Sequence, residues 1–245
     1  MTDLFDDKLL SDFVQNFYGY GNYSGQFWFI GMEEGGGNSF PEINTRLTAW
    51  ANRGKSELED LAEYHNDIGV MNWFTDKPKL QPTWNKLIRI LLSSSGKLPT
   101  TEQVREYQKT LLGRLIGDTS LLELLPLPSP SIGQWLYAQY SQLPYLEDRE
   151  AYRQECIEFR ITHLQDRINQ YRPKAVIFYS LSYQEYWKKI AGVDFHQNSA
   201  KIYFGRNEST LFVMTKHPAA QGVTSDYFHQ VGQLIATSST EPTKS

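Results

Sequence analysis

Apolar residues fall into two periods along this chain. Leu4, Leu9, Leu10, Phe13 and Phe17 recur at helical spacing over residues 4–18, and Gly19, Gly21 and Gly25 then break the pattern. Residues 27–30 form a short unbroken apolar run, the form of a strand buried on both faces. Residues 42–65 carry Leu47, Trp50, Leu58 and Leu61 and read as one helix, and 68–82 are irregular. Thr83 offers a cap for a helix whose Trp84, Leu87, Ile88 and Leu91 share one face; a second helix covers 101–116. Residues 121–125 are another apolar run, interrupted by Glu123 and closed by PLPSPS. The longest helix, 147–171, lines up Ile157, Ile161, Leu164, Ile168 and Tyr171; Pro173 stops it, and 175–179 make a third strand. A helix over 182–192, two strands in KIYFG and STLFVMT, and a helix over 226–236 follow. The polar tail at 237–245 is expected to be disordered.

Strands thus alternate with helices, and the clearest strands are unbroken apolar runs. The expectation is one α/β domain over residues 1–236, a three-layer α/β/α sandwich around a central, mainly parallel sheet of about four strands. Ligands of such sheets bind beyond the carboxyl ends of the strands. Three strand ends carry unusual chemistry: GMEEGGG, ELLPLPSPS and TKHPAAQG.

Composition narrows the classes. At 245 residues, 40% of them hydrophobic, the chain can fill a core without metals or disulfides. The one cysteine, Cys156, lies in the apolar pattern of a helix and reads as a small buried hydrophobe, the alternative being a nucleophile. One cysteine and five scattered histidines give no zinc pattern, so no metal and no cofactor is expected. No stretch approaches the roughly 20 apolar residues of a membrane span. The opening MTDLFDDKLL is no secretory signal, so a soluble, cytoplasmic protein is expected. A net charge of -4 argues against a general nucleic-acid binder and leaves a local basic face open. Oligomeric state is not legible.

The glycine loop fits neither common phosphate motif. GMEEGGG lacks the G-x-G-x-x-G spacing, and Gly37-Asn38-Ser39 is not G-K-[ST]. Two carboxylates would also repel a phosphate. Gly35, Gly36 and Gly37 permit a close approach of a ligand to backbone; a tight turn with solvated acids is the plainer alternative. On an extended chain Glu33 and Glu34 point to opposite sides, so one faces the crevice, where a carboxylate can orient water. His217, at the end of the last strand, can donate a hydrogen bond to an oxygen that becomes anionic, or simply cap its loop. Lys216 beside it is a surface charge or a phosphate contact.

In this order, the three strand ends resemble motifs of the uracil-DNA glycosylase superfamily. Gly31-Met32-Glu33-Glu34-Gly35 is similar to that family's first loop, G-x-[D/N]-P-G, and His217-Pro218-Ala219 to its H-P-S. TWNKLIRILL and RPKAVIFYSLSYQEYW resemble its intervening segments, so the likeness runs over roughly residues 26–236 as an ordering of short motifs. The resemblance implies an enzyme of base-excision DNA repair that flips a modified or deaminated base and hydrolyses its N-glycosidic bond. Glu33 would orient water and His217 would stabilise the leaving base. Glu34 stands beside Glu33 as the other catalytic carboxylate, and Gly31, Met32, Gly35, Gly36, Lys216, Pro218 and Ala219 would surround the substrate. Glu123 would stand where many members have an asparagine that reads the base edge, and Phe40 or Trp73 would stack on the base. The partner would be DNA, single-stranded or damaged. An iron–sulfur cluster, present in some relatives, usually takes four cysteines.

The chain departs from that pattern at Glu34, where the family has proline, at Ala219, where it has serine, and at Gln221, where an apolar wedge often stands, although Val223 is near. An ionised Glu123 only accepts hydrogen bonds and cannot pair like an amide; a base presenting donors or a protonated Glu123 is required. Two other classes therefore stand beside the glycosylase: a binding module without catalysis, and a hydrolase or transferase of free nucleosides.

Overall fold

A computed structural model describes residues 3–131 and 133–238. Its strands are β1 (Gly19–Gly21), β2 (Phe27–Gly31), β3 (Leu58–Glu59), β4 (Thr119–Glu123), β5 (Ala175–Tyr179), β6 (His196–Gln197), β7 (Tyr203–Arg206) and β8 (Leu211–Thr215). They form one sheet in the order β3-β1-β4-β2-β5-β8-β7-β6. The expected sheet of about four mainly parallel strands is therefore corrected: eight strands make a mixed sheet. At its centre β4, β2, β5 and β8 pair in parallel. On one side β1 adds antiparallel to β4, with β3 parallel to β1; on the other, β7 and β6 add antiparallel.

The correction has a physical reason. β1, β3 and β6 are too short to show any periodicity. β1 is Gly-Tyr-Gly, and its glycines read as breakers. A Cβ on Gly19 would lie 2.1 Å from the carbonyl oxygen of Leu121, and one on Gly21 would lie 2.2 Å from that of Thr119. Only glycine lets this strand lie against β4 with φ of +134° and +103°.

The helices are α1 (Asp7–Asn16), α2 (Phe40–Asn52), α3 (Leu61–Asp67), α4 (Pro82–Ser93), α5 (Thr101–Thr110), α6 (Tyr137–Tyr140), α7 (Arg149–Tyr171), α8 (Gln184–Ala191) and α9 (Ser225–Ser238). The single helix expected over 42–65 is two, α2 and α3, with β3 between them. Gly54 and Lys55 take left-handed conformations, φ +93° and +60°, and turn the chain. α9 runs through Ser238, so the first two residues of the expected tail are helical; 239–245 lie outside the described residues. Among the described residues no helix is long and apolar enough to cross a membrane.

The central strands position the site. Every residue of β2, β5 and β8 is buried, as both faces of a covered parallel strand must be. The β2–β4 pairing continues past the strands: Leu124 and Leu125 donate N–H to the carbonyls of Gly31 and Met32, at 2.9 and 2.8 Å. Ser129 donates to the carbonyl of Glu34 at 3.2 Å. On α7, Arg160 is fully buried, with no carboxylate partner among the described residues. Its guanidinium donates to the carbonyls of Glu123, Leu124, Val14 and Phe17 and lies 3.6 Å from the Tyr18 ring centroid. It ties the end of β4 to the end of α1, and so fixes the backbone that carries Glu123. Cys156, on the same helix, is buried, and burial pushes its thiol up to about 12, which removes it as a thiolate nucleophile.

Candidate active site

All four central strands end at one cleft of about 1000 Å³. β2 delivers Met32, Glu33, Glu34 and Gly35; β4 delivers Glu123 and the Ser129–Ser131 turn; β5 delivers Tyr179, Ser180 and Tyr183; β8 delivers His217. The first turns of α4 and α7 close the sides with Trp84, Arg149, Glu150 and Arg153.

The two adjacent glutamates diverge, as extended geometry requires. Glu34 turns toward β1 and α2: the Tyr20 hydroxyl, on β1, donates to it at 2.9 Å, and Arg46, on α2, pairs with it at 3.2 Å. Glu33 turns toward α7, where Arg149 binds its Oε2. Arg149 also donates to the Ser129 hydroxyl and to the carbonyls of Ser131 and Gln134, and lies 5.0 Å over the Trp135 ring. Burial raises the Glu33 carboxyl above its ordinary value, against the pull of Arg149. Among the described residues no donor meets its second oxygen, which is thus open to a water.

The glycines beside them serve the fold more than the ligand. Glu42, in the first turn of α2, accepts from the N–H groups of Gly37 and Asn38, at 2.9 Å each. A Cβ on Gly36 would meet Arg46 and Glu42 at 2.8 Å, and one on Gly37 would meet the Pro128 carbonyl at 2.5 Å. Gly35 alone of the three faces open space and lines the cleft.

Glu123 has no cation partner among the described residues. The Tyr179 hydroxyl donates to its Oε1 at 2.8 Å, while its Oε2 is shut off from solvent with no partner. Both groups lie over Gly31: a Cβ there would fall 2.2 Å from the Tyr179 hydroxyl and 2.5 Å from Glu123 Oε2. Burial first, and then Glu34 and Glu33, push the Glu123 carboxyl up to about 8, so it is mostly un-ionised at neutral pH.

His217 stands at the mouth of the cleft, exposed as a whole residue but with its ring partly desolvated by the cleft wall. Its Nδ1 accepts the N–H of Ala219 at 3.1 Å. That places the ring proton on Nε2, and burial lowers the imidazole below its ordinary value. His217 is therefore a neutral donor. Glu33, Glu123 and His217 line one cavity, where the Glu33 charge helps to raise the Glu123 carboxyl.

The remaining expected site residues lie outside the cleft lining. Phe40 stacks on Phe5 at 4.7 Å and packs on Tyr140. Trp73 is partly buried, its ring 6.4 Å from Trp84. Lys216 lies 5.0 Å over the Tyr227 ring, and Pro218 is buried. Among the described residues Trp84 and Tyr183 are the aromatic side chains that, with Tyr179, reach the cleft. Sequence reasoning missed Arg149, Tyr179 and Ser180 as site residues. Tyr179 was detectable as the last residue of an apolar strand, and Arg149 as an arginine opening a helix after PLPSPS. Ser180 had no signal: it is a non-glycine held at φ +122°, a conformation costing on the order of 1–3 kcal/mol that tends to occur at functional sites.

Among the described residues no group of three or more histidine, cysteine, aspartate or glutamate side chains is placed to hold a metal. No protein-family model matches the chain, and no curated protein matches its sequence.

Proposed function

We propose that this protein hydrolyses the N-glycosidic bond of a modified or deaminated nucleobase in the cleft at the carboxyl ends of its parallel strands. The observation that carries the proposal is the convergence of Glu33, Glu123 and neutral His217 on one cavity of about 1000 Å³. Such a volume accommodates a nucleoside. Hydrolysis at a sugar carbon needs a carboxylate on the water's side and a hydrogen-bond donor on the leaving-group side. The two must stand apart so that water and sugar fit between them; Glu33 follows β2 and His217 follows β8, with β5 between these strands in the sheet. Glu33, anchored through one oxygen by Arg149, orients the attacking water with the other. His217 donates its Nε2–H to the oxygen of the departing base. Trp84 and Tyr183 offer flat apolar faces to that base. The ordered likeness of the loops at 31–35 and 217–219 to the uracil-DNA glycosylase superfamily supports the same chemistry.

One observation favours a free nucleoside over DNA as substrate. Among the described residues four carboxyl side chains and two arginines line the cleft, and both arginines are engaged, Arg149 with Glu33 and Arg153 with Glu150. A phosphate backbone is drawn by unengaged cations. The test is release of free base from oligonucleotides carrying uracil, hypoxanthine or xanthine, single- and double-stranded, and from the matching nucleosides. Release from the oligonucleotides alone assigns DNA, and release from the nucleosides alone assigns the small molecule. No release from either set refutes the proposal and leaves a binding module.

A further inference from the structure

The proposed hydrolysis leaves Ser180 without a task, although its backbone is held against its own preference. The chain leaves β5 at Tyr179 and enters α8 at Gln184 through Ser180 and a single tight turn, Leu181–Tyr183. Ser180 takes φ +122° and ψ +113°, a region open to glycine and disfavoured for residues with a side chain. Three hydrogen bonds hold it there. Its N–H donates to the carbonyl of Thr215 at 3.1 Å, and its carbonyl accepts from the Trp187 indole at 2.7 Å and from the Tyr183 N–H at 3.4 Å. Trp187 is fully buried and stacks on Phe178, ring centroids 5.2 Å apart, so the clamp is anchored in the core. All three bonds use backbone atoms of Ser180, and glycine would make them without the strain.

The side chain adds nothing to this clamp. Among the described residues the Ser180 hydroxyl has no hydrogen-bond partner; the residue lines the cleft, and its hydroxyl, unlike Glu123 Oε2, is not shut off from solvent. β5 and β8 pair with Tyr179 opposite Thr215. Ser180 thus follows one member of this pair directly and His217 stands two residues past the other, at the ends of neighbouring strands. The His217 ring lies 6.0 Å from that of Tyr179. A hydroxyl kept where glycine fits better, unpartnered and at a cavity wall, is a group that the fold is strained to present to a ligand.

We propose that the Ser180 hydroxyl binds the departing base, donating a hydrogen bond to its carbonyl oxygen from the side of the cleft where His217 stands. The inference rests on the N-glycosidase reading and narrows its substrates to bases that carry such an oxygen, as uracil, hypoxanthine and xanthine do. Two neutral donors suit an oxygen that gains negative charge as the glycosidic bond breaks.

The experiment compares Ser180→Gly and Ser180→Ala with the wild type by thermal unfolding and by base release from oligonucleotides and nucleosides carrying uracil, hypoxanthine or xanthine. Ser180→Gly removes both the strain and the hydroxyl. Its unfolding midpoint should rise by ~5 °C while kcat/KM falls by ~10-fold or more. Ser180→Ala keeps the strained backbone and removes the hydroxyl alone. Its midpoint should match the wild type, and its kcat/KM should fall as far. Calorimetric titration with the free base should show affinity weakened by ~3-fold or more in Ser180→Ala. A Ser180→Gly midpoint that does not rise, wild-type kcat/KM in either variant, or wild-type affinity for the free base in Ser180→Ala overturns the role of the hydroxyl. If the wild type releases no base from any of these substrates, the N-glycosidase reading itself fails, and the inference with it.

Discussion

Replacing Glu123 with glutamine should flatten the dependence of folding stability on pH. The wild-type carboxyl titrates at about 8 in the folded protein, against an ordinary 4.5. The folded state therefore holds this proton more tightly than the unfolded chain does. The stabilisation is complete below about 4.5 and is lost as pH rises through about 8. Each tenfold difference in proton affinity between the two states is worth about 1.4 kcal/mol, so the full loss is on the order of 5 kcal/mol. Whole domains are stable by only about 5–15 kcal/mol, so the effect is large. Urea unfolding of both proteins from about pH 5 to about pH 9 gives the difference curve directly, with its expected span of ~4 kcal/mol. The variant should gain on the wild type steadily as pH rises. Parallel curves would refute the burial of an unpaired, un-ionised carboxyl at this position.

Two further substitutions probe the packing of the site. Gly31→Ala would drive a methyl group into the Tyr179 hydroxyl and Glu123 Oε2; thermal unfolding should show a loss of ~1–3 kcal/mol, and a wild-type midpoint would contradict the close approach. Arg149→Met strands the partly buried Glu33 and the carbonyls of Ser131 and Gln134. With solvent screening allowed for, it should cost ~2 kcal/mol, and adding Glu33→Gln should restore part of that. Strictly additive losses in the double variant would show that the pair is not coupled.

Much of the core was legible because buried parallel strands are continuous apolar runs. β2, β5 and β8 announce themselves as FWFI, AVIFY and LFVMT. The edge strands were hidden for the opposite reason: two or three residues carry no period, and the glycines of β1 look like breakers until β4 is known to lie against them. The break between α2 and α3 turns on Gly54 and Lys55, whose left-handed backbone leaves no mark in the apolar pattern. At the site, the motifs brought out Glu33, Glu34, Glu123 and His217 because strand ends are where such sheets bind ligands. Which acid pairs with which arginine was invisible, since Arg149 and Arg46 arrive from distant helices. Arg160 left a signal of its own: it falls on the apolar face of α7 between Ile157 and Leu164, where an arginine must find buried acceptors. Phe40 follows the first loop in sequence but, like Trp73, does not line the cleft; Trp84, on the apolar face of α4, does.

Chromatographic measurement of free base released by the wild type, Glu33→Gln and His217→Ala, at matched fractions of folded protein, tests the central claim most directly. The wild type should release base from at least one modified or deaminated substrate, and each variant should be slower by well over ~10-fold. Absence of released base with the wild type, or equal rates in all three proteins, would contradict the assignment of hydrolysis to this cleft.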